Sequence, residues 1–275
     1  MEKREIKRVF NWVRDTRTDH PQHEFDEPRG IMSKADLRSK LPAVYDQGEL
    51  GSCTANALGA AYQYDQINHR TVFPGGKPFV PSRLFVYYNE REMEGTIRSD
   101  EGAAIEDGVK SVSTAGVCPE EMWPYDISKF AVKPPADAYK FAKNYKVTKC
   151  KKIRQTLGQL RTSLFHGYPI VFGMMLYESF KSEEVSTTGK MPMPKKNETC
   201  LGGHAVLICG YDDVTKMFLV RNSWGESWGD KGYFYVPYEY ILSDQCSDFW
   251  VLIAVTRDLP DHHNVEKNVE KDVEN

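Results

Sequence analysis

Residues 47–67 read Q-G-E-L-G-S-C-T-A-N-A-L-G-A-A-Y-Q-Y-D-Q-I, a tight loop that turns into a helix with one cysteine at the junction. Leu58, Ala61 and Ile67, with Ala57 and Tyr64 beside them, recur at helical spacing and predict an amphipathic helix with a buried stripe. Ser52 is placed to cap it, because a serine hydroxyl can accept from an unpaired backbone N–H of the first turn. Cys53 then stands at the positive end of the helix, where a thiolate is stabilised and the thiol pKa falls. A free cysteine is more often a small core residue, so this stretch alone leaves both readings open.

The whole chain gives the stretch its setting. Its 275 residues can bury a full core, as one large domain or as two half-domains sharing a cleft. Composition is that of a globular protein, 40% hydrophobic, 27% charged and 12% aromatic. A formal charge of -3 without a dense Lys/Arg stripe argues against a nucleic-acid partner. No apolar run approaches the ~20 residues of a membrane span, so no membrane partner is expected. The charged start M-E-K-R-E-I-K-R leads into no apolar stretch of a secretory signal. Six cysteines are too sparse for a disulfide scaffold. The expectation is an intracellular (cytoplasmic) or virion-packaged protein, monomeric and needing no cofactor.

Upstream of the stretch, residues 1–40 read as a charged, loop-like extension with an exposed aromatic patch at Phe10 and Trp12. His20 and His23 lack a metal-ligand set around them and read as solvated surface. Downstream, a turn at 74–78 precedes a helix after Ser82 and another over 103–115 closing at Gly116. Pro134–Pro135 mark a boundary between a helical lobe (about 45–135) and a β lobe (about 136–257). One more helix is predicted over 156–166, with His166 at its end given no role. Strands follow at 168–177, 204–211, 217–222, 232–236 and 249–255. Helices first and strands later predict an α+β fold, two lobes with a cleft between them. A long polar loop is expected at 181–199, and the acidic tail 258–275, with His262 and His263 on its surface, reads as disordered.

Cysteine-dependent acyl transfer needs a nucleophile, a base and a group that orients the base. Cys53 is the candidate nucleophile. His204, in G-G-H-A-V-L-I-C-G-Y, starts a strand where glycines leave room around the ring, and is the candidate base. Asn222, in R-N-S-W-G-E-S-W-G, can accept from the imidazole and fix its tautomer, with Trp224 shielding that bond. Gln47 and the Cys53 backbone N–H can form an oxyanion hole. Each has a bland alternative: a satisfied core histidine, or a turn with packed tryptophans. Their order, Gln, Cys, His, Asn, with roughly 150 residues between Cys and His, matches the spacing of papain-like enzymes.

On these motifs, together with S-R-L-F-x-Y-Y-N-E-R at 82–91 and G-V-C-P-E-x-x-W-P-Y at 116–125, the chain resembles the papain-like, cathepsin-like cysteine peptidases. It is especially similar to the compact form found in bacteria and large DNA viruses. The resemblance spans about 41–255 and implies a cysteine endopeptidase acting on protein or peptide substrates. It makes Cys53 the nucleophile, His204 the base, Asn222 the orienter and Gln47 the oxyanion donor. An acyl transferase or ligase with the same triad, and a non-catalytic peptide-binding module, are the alternatives. The resemblance also implies that Gly102–Ala103 pair with an extended peptide, that Gly173 and Ala205 flank a side-chain pocket, and that the pocket floor comes from 244–248. Leu50 and Thr54 depart from the family, which carries at these positions a disulfide cysteine and a large aromatic. Cys200 and Cys246 fall where a second family disulfide sits. The first forty residues are too short for the long helical pro-region of lysosomal relatives, and are expected to act as a short inhibitory segment in or near the cleft.

Overall fold

Hydrophobic runs at 168–177 and 204–211 look continuous because both faces of their strands are covered. In the computed structural model, Ile170, Phe172 and Met174 point into one core while Val171 points into another; Val206 and Ile208 alternate with Ala205 and Leu207 in the same way. The structure describes residues 7–17, 21–68 and 77–257. His20, residues 74–76 of the predicted turn, and the tail with His262 and His263 lie outside the described residues.

In chain order the elements are β1 (Trp12–Val13), β2 (Lys34–Asp36), α1 (Cys53–Asn68), α2 (Arg83–Glu94), β3 (Ala103–Ala104), α3 (Ile105–Thr114), α4 (Ala136–Ala142) and β4 (Tyr145–Lys152). They continue with α5 (Leu157–Phe165), β5 (Ile170–Tyr177), α6 (Glu183–Thr188), β6 (Cys200–Asp212), β7 (Met217–Arg221), β8 (Tyr233–Pro237), α7 (Tyr238–Ile241) and β9 (Cys246–Arg257). The main sheet is antiparallel in the order β4-β9-β5-β6-β7-β8, with β2 also on β6. Helices α1, α2 and α3 form the other layer, and α1 packs against β6 and β9. This is the expected α+β arrangement.

The tertiary structure changes several local expectations. Helix α1 is buried on every side from Cys53 to Gln66 instead of showing a stripe, because it is sandwiched between α2, α3 and the sheet. The Ser52 hydroxyl meets the Tyr125 hydroxyl at 2.5 Å and accepts from the Asn56 carboxamide at 3.1 Å. The third helix starts at Ile105, since Ala103–Ala104 are strand. The 181–199 loop contains α6, capped by the Ser182 hydroxyl and ended by Gly189 at φ 72°. Sequence reading missed β4 altogether: its lysines hide a strand in which Val147 is the buried residue, and β9 supplies its partner.

All six cysteines are free. Cys200 lies on β6 opposite Tyr177, and Cys246 lies on β9 opposite Met174, so β5 runs between them and they are not bridged. Residues 1–40 do not behave as one extension. From His23 onward the chain belongs to the body: His23 bridges Ile153, with Lys151 Nζ 2.6 Å from its Nε2, β2 edges the sheet, and Leu37 enters the larger core. Thus His23 is a half-buried surface residue, held by Lys151 and against Phe25. Residues 7–17 take a separate path along the cleft.

Candidate active site

Cys53 opens α1 and His204 lies on β6; both are fully buried. Asn222 follows β7, and its Oδ1 accepts from the Ser223 backbone N–H at 2.8 Å. A backbone N–H only donates, so that contact fixes which end of the carboxamide is oxygen. The His204 Nε2, 2.9 Å from the same oxygen, is therefore the protonated nitrogen. The lone pair is left on Nδ1, which is buried and has no hydrogen-bond partner among the described residues. Trp224 lies 5.1 Å from the His204 ring, tilted by 30°.

Gln47 is buried and held at both ends of its carboxamide. Nε2 donates to Leu50 O at 2.9 Å, and Oε1 accepts from Ser223 Oγ at 2.5 Å. Ser223, a residue that sequence reading passed over although it sits inside the N-S-W-G motif, thus joins the asparagine and the glutamine. Thr54, where a large aromatic was the norm, donates to the buried Glu90 at 2.7 Å. Burial pushes the Glu90 carboxyl well above the usual carboxylate range.

The residues expected to bind substrate are occupied by the chain's own N-terminal segment. Trp12 pairs with Ala103 and Val13 with Ala104 in parallel. Gly102, at φ 80°, has no room for a Cβ, which would come within 1.5 Å of Asn11 O. At Gly173 a Cβ would fall 1.9 Å from the Trp12 indole. Gly202 and Gly203 likewise pass under Phe10 O and Trp12 O, so these glycines make room for a backbone more than for the histidine ring. Ala205 is buried beside His204, opposite Gly173 across the β5–β6 ladder. Trp12, expected to be exposed, is 5% exposed.

The flanks of the segment are pinned by charge. Arg8 donates to Asp46 Oδ1 at 2.7 Å and to Trp224 O at 3.3 Å. Arg17 makes paired bonds to the Asp107 carboxylate at 3.1 and 3.0 Å and one to Asp15 at 2.9 Å. Asp15 N–H donates to Asp248 Oδ2 at 3.2 Å, within the stretch expected to floor the pocket. Phe10 stands edge-on to His204 with centroids 6.4 Å apart, and 5.8 Å from Trp224.

Under this cover Cys53 and His204 are both shut off from solvent. Burial pushes the Cys53 thiol up to about 12, although the Ala205 backbone N–H beside it works the other way. Burial also lowers His204 to about 4, against the opposing pull of the Asn222 hydrogen bond. Both shifts favour a neutral thiol and a neutral imidazole in the closed state. Exposure to water would remove the largest cause of each shift and leave the dipole of α1 favouring the thiolate.

The family described as papain family cysteine protease matches residues 31–247. An uncharacterized peptidase C1-like protein of Acanthamoeba polyphaga mimivirus is 43% identical over 244 residues, 84% of this chain and 77% of the relative. The structure of xylellain, a cysteine protease from Xylella fastidiosa, superposes with a TM-score of 0.80 at 40% identity, covering 94% of this chain and 99% of that one. Procathepsin B S9 from Trypanosoma congolense shares the fold at 14% identity, with a TM-score of 0.69 over 91% of this chain and 87% of its own.

Proposed function

Because the chain belongs to the papain family of cysteine proteases, we propose that it is an endopeptidase worked by Cys53, His204, Asn222 and Gln47, and that residues 7–17 hold its cleft shut. One observation carries the catalytic assignment. The Asn222–His204 hydrogen bond fixes the imidazole with its basic Nδ1 buried and without a partner among the described residues, on a strand whose next residue, Ala205, lies against the Cys53 thiol.

Once the segment leaves, His204 Nδ1 takes the thiol proton and Cys53 Sγ attacks the scissile carbonyl. The oxyanion is received by the Cys53 N–H and by the Gln47 Nε2 hydrogen not given to Leu50 O. His204 then protonates the departing amine, and a water deprotonated by His204 releases the acyl group from sulfur. A substrate strand would take the place of Trp12–Val13 along Ala103–Ala104. An aromatic side chain would fit where the Trp12 indole lies against Gly173.

The test compares the full chain with one starting at Thr18, using iodoacetamide at pH 5 and a fluorogenic peptide. The expected result is uniformly slow thiols in the full chain. The shortened chain should show one fast cysteine, mapped to Cys53, and a hydrolysis that Cys53→Ala abolishes. Equal activity of the two chains would remove the inhibitory role of residues 7–17. Six slow thiols in the shortened chain would remove the peptidase mechanism.

A further inference from the structure

The loop carrying Gln47 and Cys53 must keep its shape to within fractions of an ångström, because it holds both the nucleophile and the oxyanion donor. The family resemblance puts a disulfide cysteine at residue 50, and here that residue is a buried leucine. Something else must hold the loop. The Gly51 N–H, two residues before the nucleophile, points at the Asp100 carboxylate, 3.0 Å from each oxygen. The same carboxylate accepts from the Tyr87 hydroxyl at 2.5 Å, and the Tyr87 oxygen accepts from the Gly102 N–H at 3.2 Å. Gly102 leads directly into Ala103–Ala104, the edge along which an extended peptide lies. The Asp100 backbone carbonyl also receives the Asn11 carboxamide at 2.6 Å, so the covering segment docks on the same junction.

We propose that Asp100 is a positioning residue: its carboxylate, with the Tyr87 hydroxyl, staples the nucleophile loop to the substrate-binding strand and takes over the work of the missing disulfide. The proposal rests on the assignment of Cys53 as nucleophile. A carboxylate suits this place because it can accept from both sides at once, and an N–H bonded to a charged acceptor is held more firmly than one bonded to a neutral one. Unlike a disulfide, this staple does not depend on the redox state of its surroundings.

The staple has two halves, and they should fail differently. Losing Asp100 frees the Gly51 side, which carries the reacting atoms. Losing only the Tyr87 hydroxyl leaves Gly51 held and frees Gly102, which lies against the covering segment at Asn11. The experiment uses full-length chains carrying Trp12→Ala to open the cleft, with Asp100→Ala, Asp100→Asn or Tyr87→Phe added. It reads kcat and KM on a fluorogenic peptide, iodoacetamide alkylation of Cys53 at pH 5, and Tm.

Asp100→Ala should lower kcat by about 10- to 100-fold with KM changed by no more than about threefold, as a displaced reacting group does. Asp100→Asn keeps an acceptor for Gly51 and should recover most of that loss. Tyr87→Phe should raise KM and leave kcat. The proposal is overturned if kcat and alkylation in Asp100→Ala stay within about twofold of the parent, or if the Ala and Asn variants lose activity equally and in step with Tm. A parent whose hydrolysis survives Cys53→Ala would instead refute the nucleophile assignment. Alkylation, which needs no turnover, decides the Asp100 question separately.

Discussion

Trp12→Ala in the full-length chain should convert a closed protein into an open one. The indole is 95% shielded and fills the space left by Gly173. A buried tryptophan removes roughly 200 Å² from water, and at about 25 cal/mol per Å² that is about 5 kcal/mol as an upper value. Truncating it to alanine in place typically costs about 3–5 kcal/mol. Since each ~1.4 kcal/mol is tenfold, the ratio of closed to open chains should fall by about 150- to 4,000-fold. The Arg8, Asn11 and Arg17 contacts remain, so the segment should loosen without its flanks being removed. Second-order alkylation of Cys53 by iodoacetamide reads the open fraction directly, because a covered thiol reacts only through the open state. Val13→Ala is the matched control: the next residue on the same strand, its side chain turned away and 47% exposed, should change the rate little. If Trp12→Ala and Val13→Ala both react within about twofold of wild type, the indole is not what holds the cleft shut.

Two further outcomes follow from the same contacts. Gly173→Ala puts a methyl into the indole of Trp12; it should speed Cys53 alkylation in the full chain, yet raise KM for a peptide with an aromatic side chain at the position Trp12 mimics, and unchanged values of both would place the pocket elsewhere. Acid should weaken the closed state through His204: its folded pKa, lowered to about 4, lies below its ordinary 6.5, so the stabilisation of the neutral ring is complete above 6.5 and is lost as pH falls toward 4. That amounts to roughly 3 kcal/mol. A Tm series from pH 7 to 4 should be flatter for His204→Gln than for wild type, and parallel slopes would exclude this origin. Carboxyls raised by burial, Glu94 to about 7 and also Asp248, act in the opposite sense, which is why the comparison must be with the histidine variant.

Much of this protein could be read directly from local chemistry. The loop-to-helix cysteine, the glycines before His204 and the asparagine before Ser-Trp-Gly are each short-range patterns. Helices after Ser82 and Thr156 start at side-chain caps, which depend on residues three apart. Strand β4 escaped because its lysine-rich sequence has no alternation of its own; β9 made it a strand. The polar stretch at 181–199 hid α6 for a similar reason, its cap and its single buried valine being too brief a signal.

What sequence alone could nominate were the candidate reacting groups, because the chemistry of thiol, imidazole and carboxamide belongs to the residues themselves. What only the tertiary structure decided was the environment of those groups. The pocket for Trp12 is assembled from β3, β5 and β6, elements far from β1 along the chain, and no local pattern announces that an aromatic near the N-terminus will fill it. The link from Gly51 through Asp100 and Tyr87 to Gly102 is likewise made of residues with no common motif. Burial and hydrogen bonding are properties of position in space. They shift the pKa of Cys53 and His204, and under the proposed mechanism they govern when this site can act.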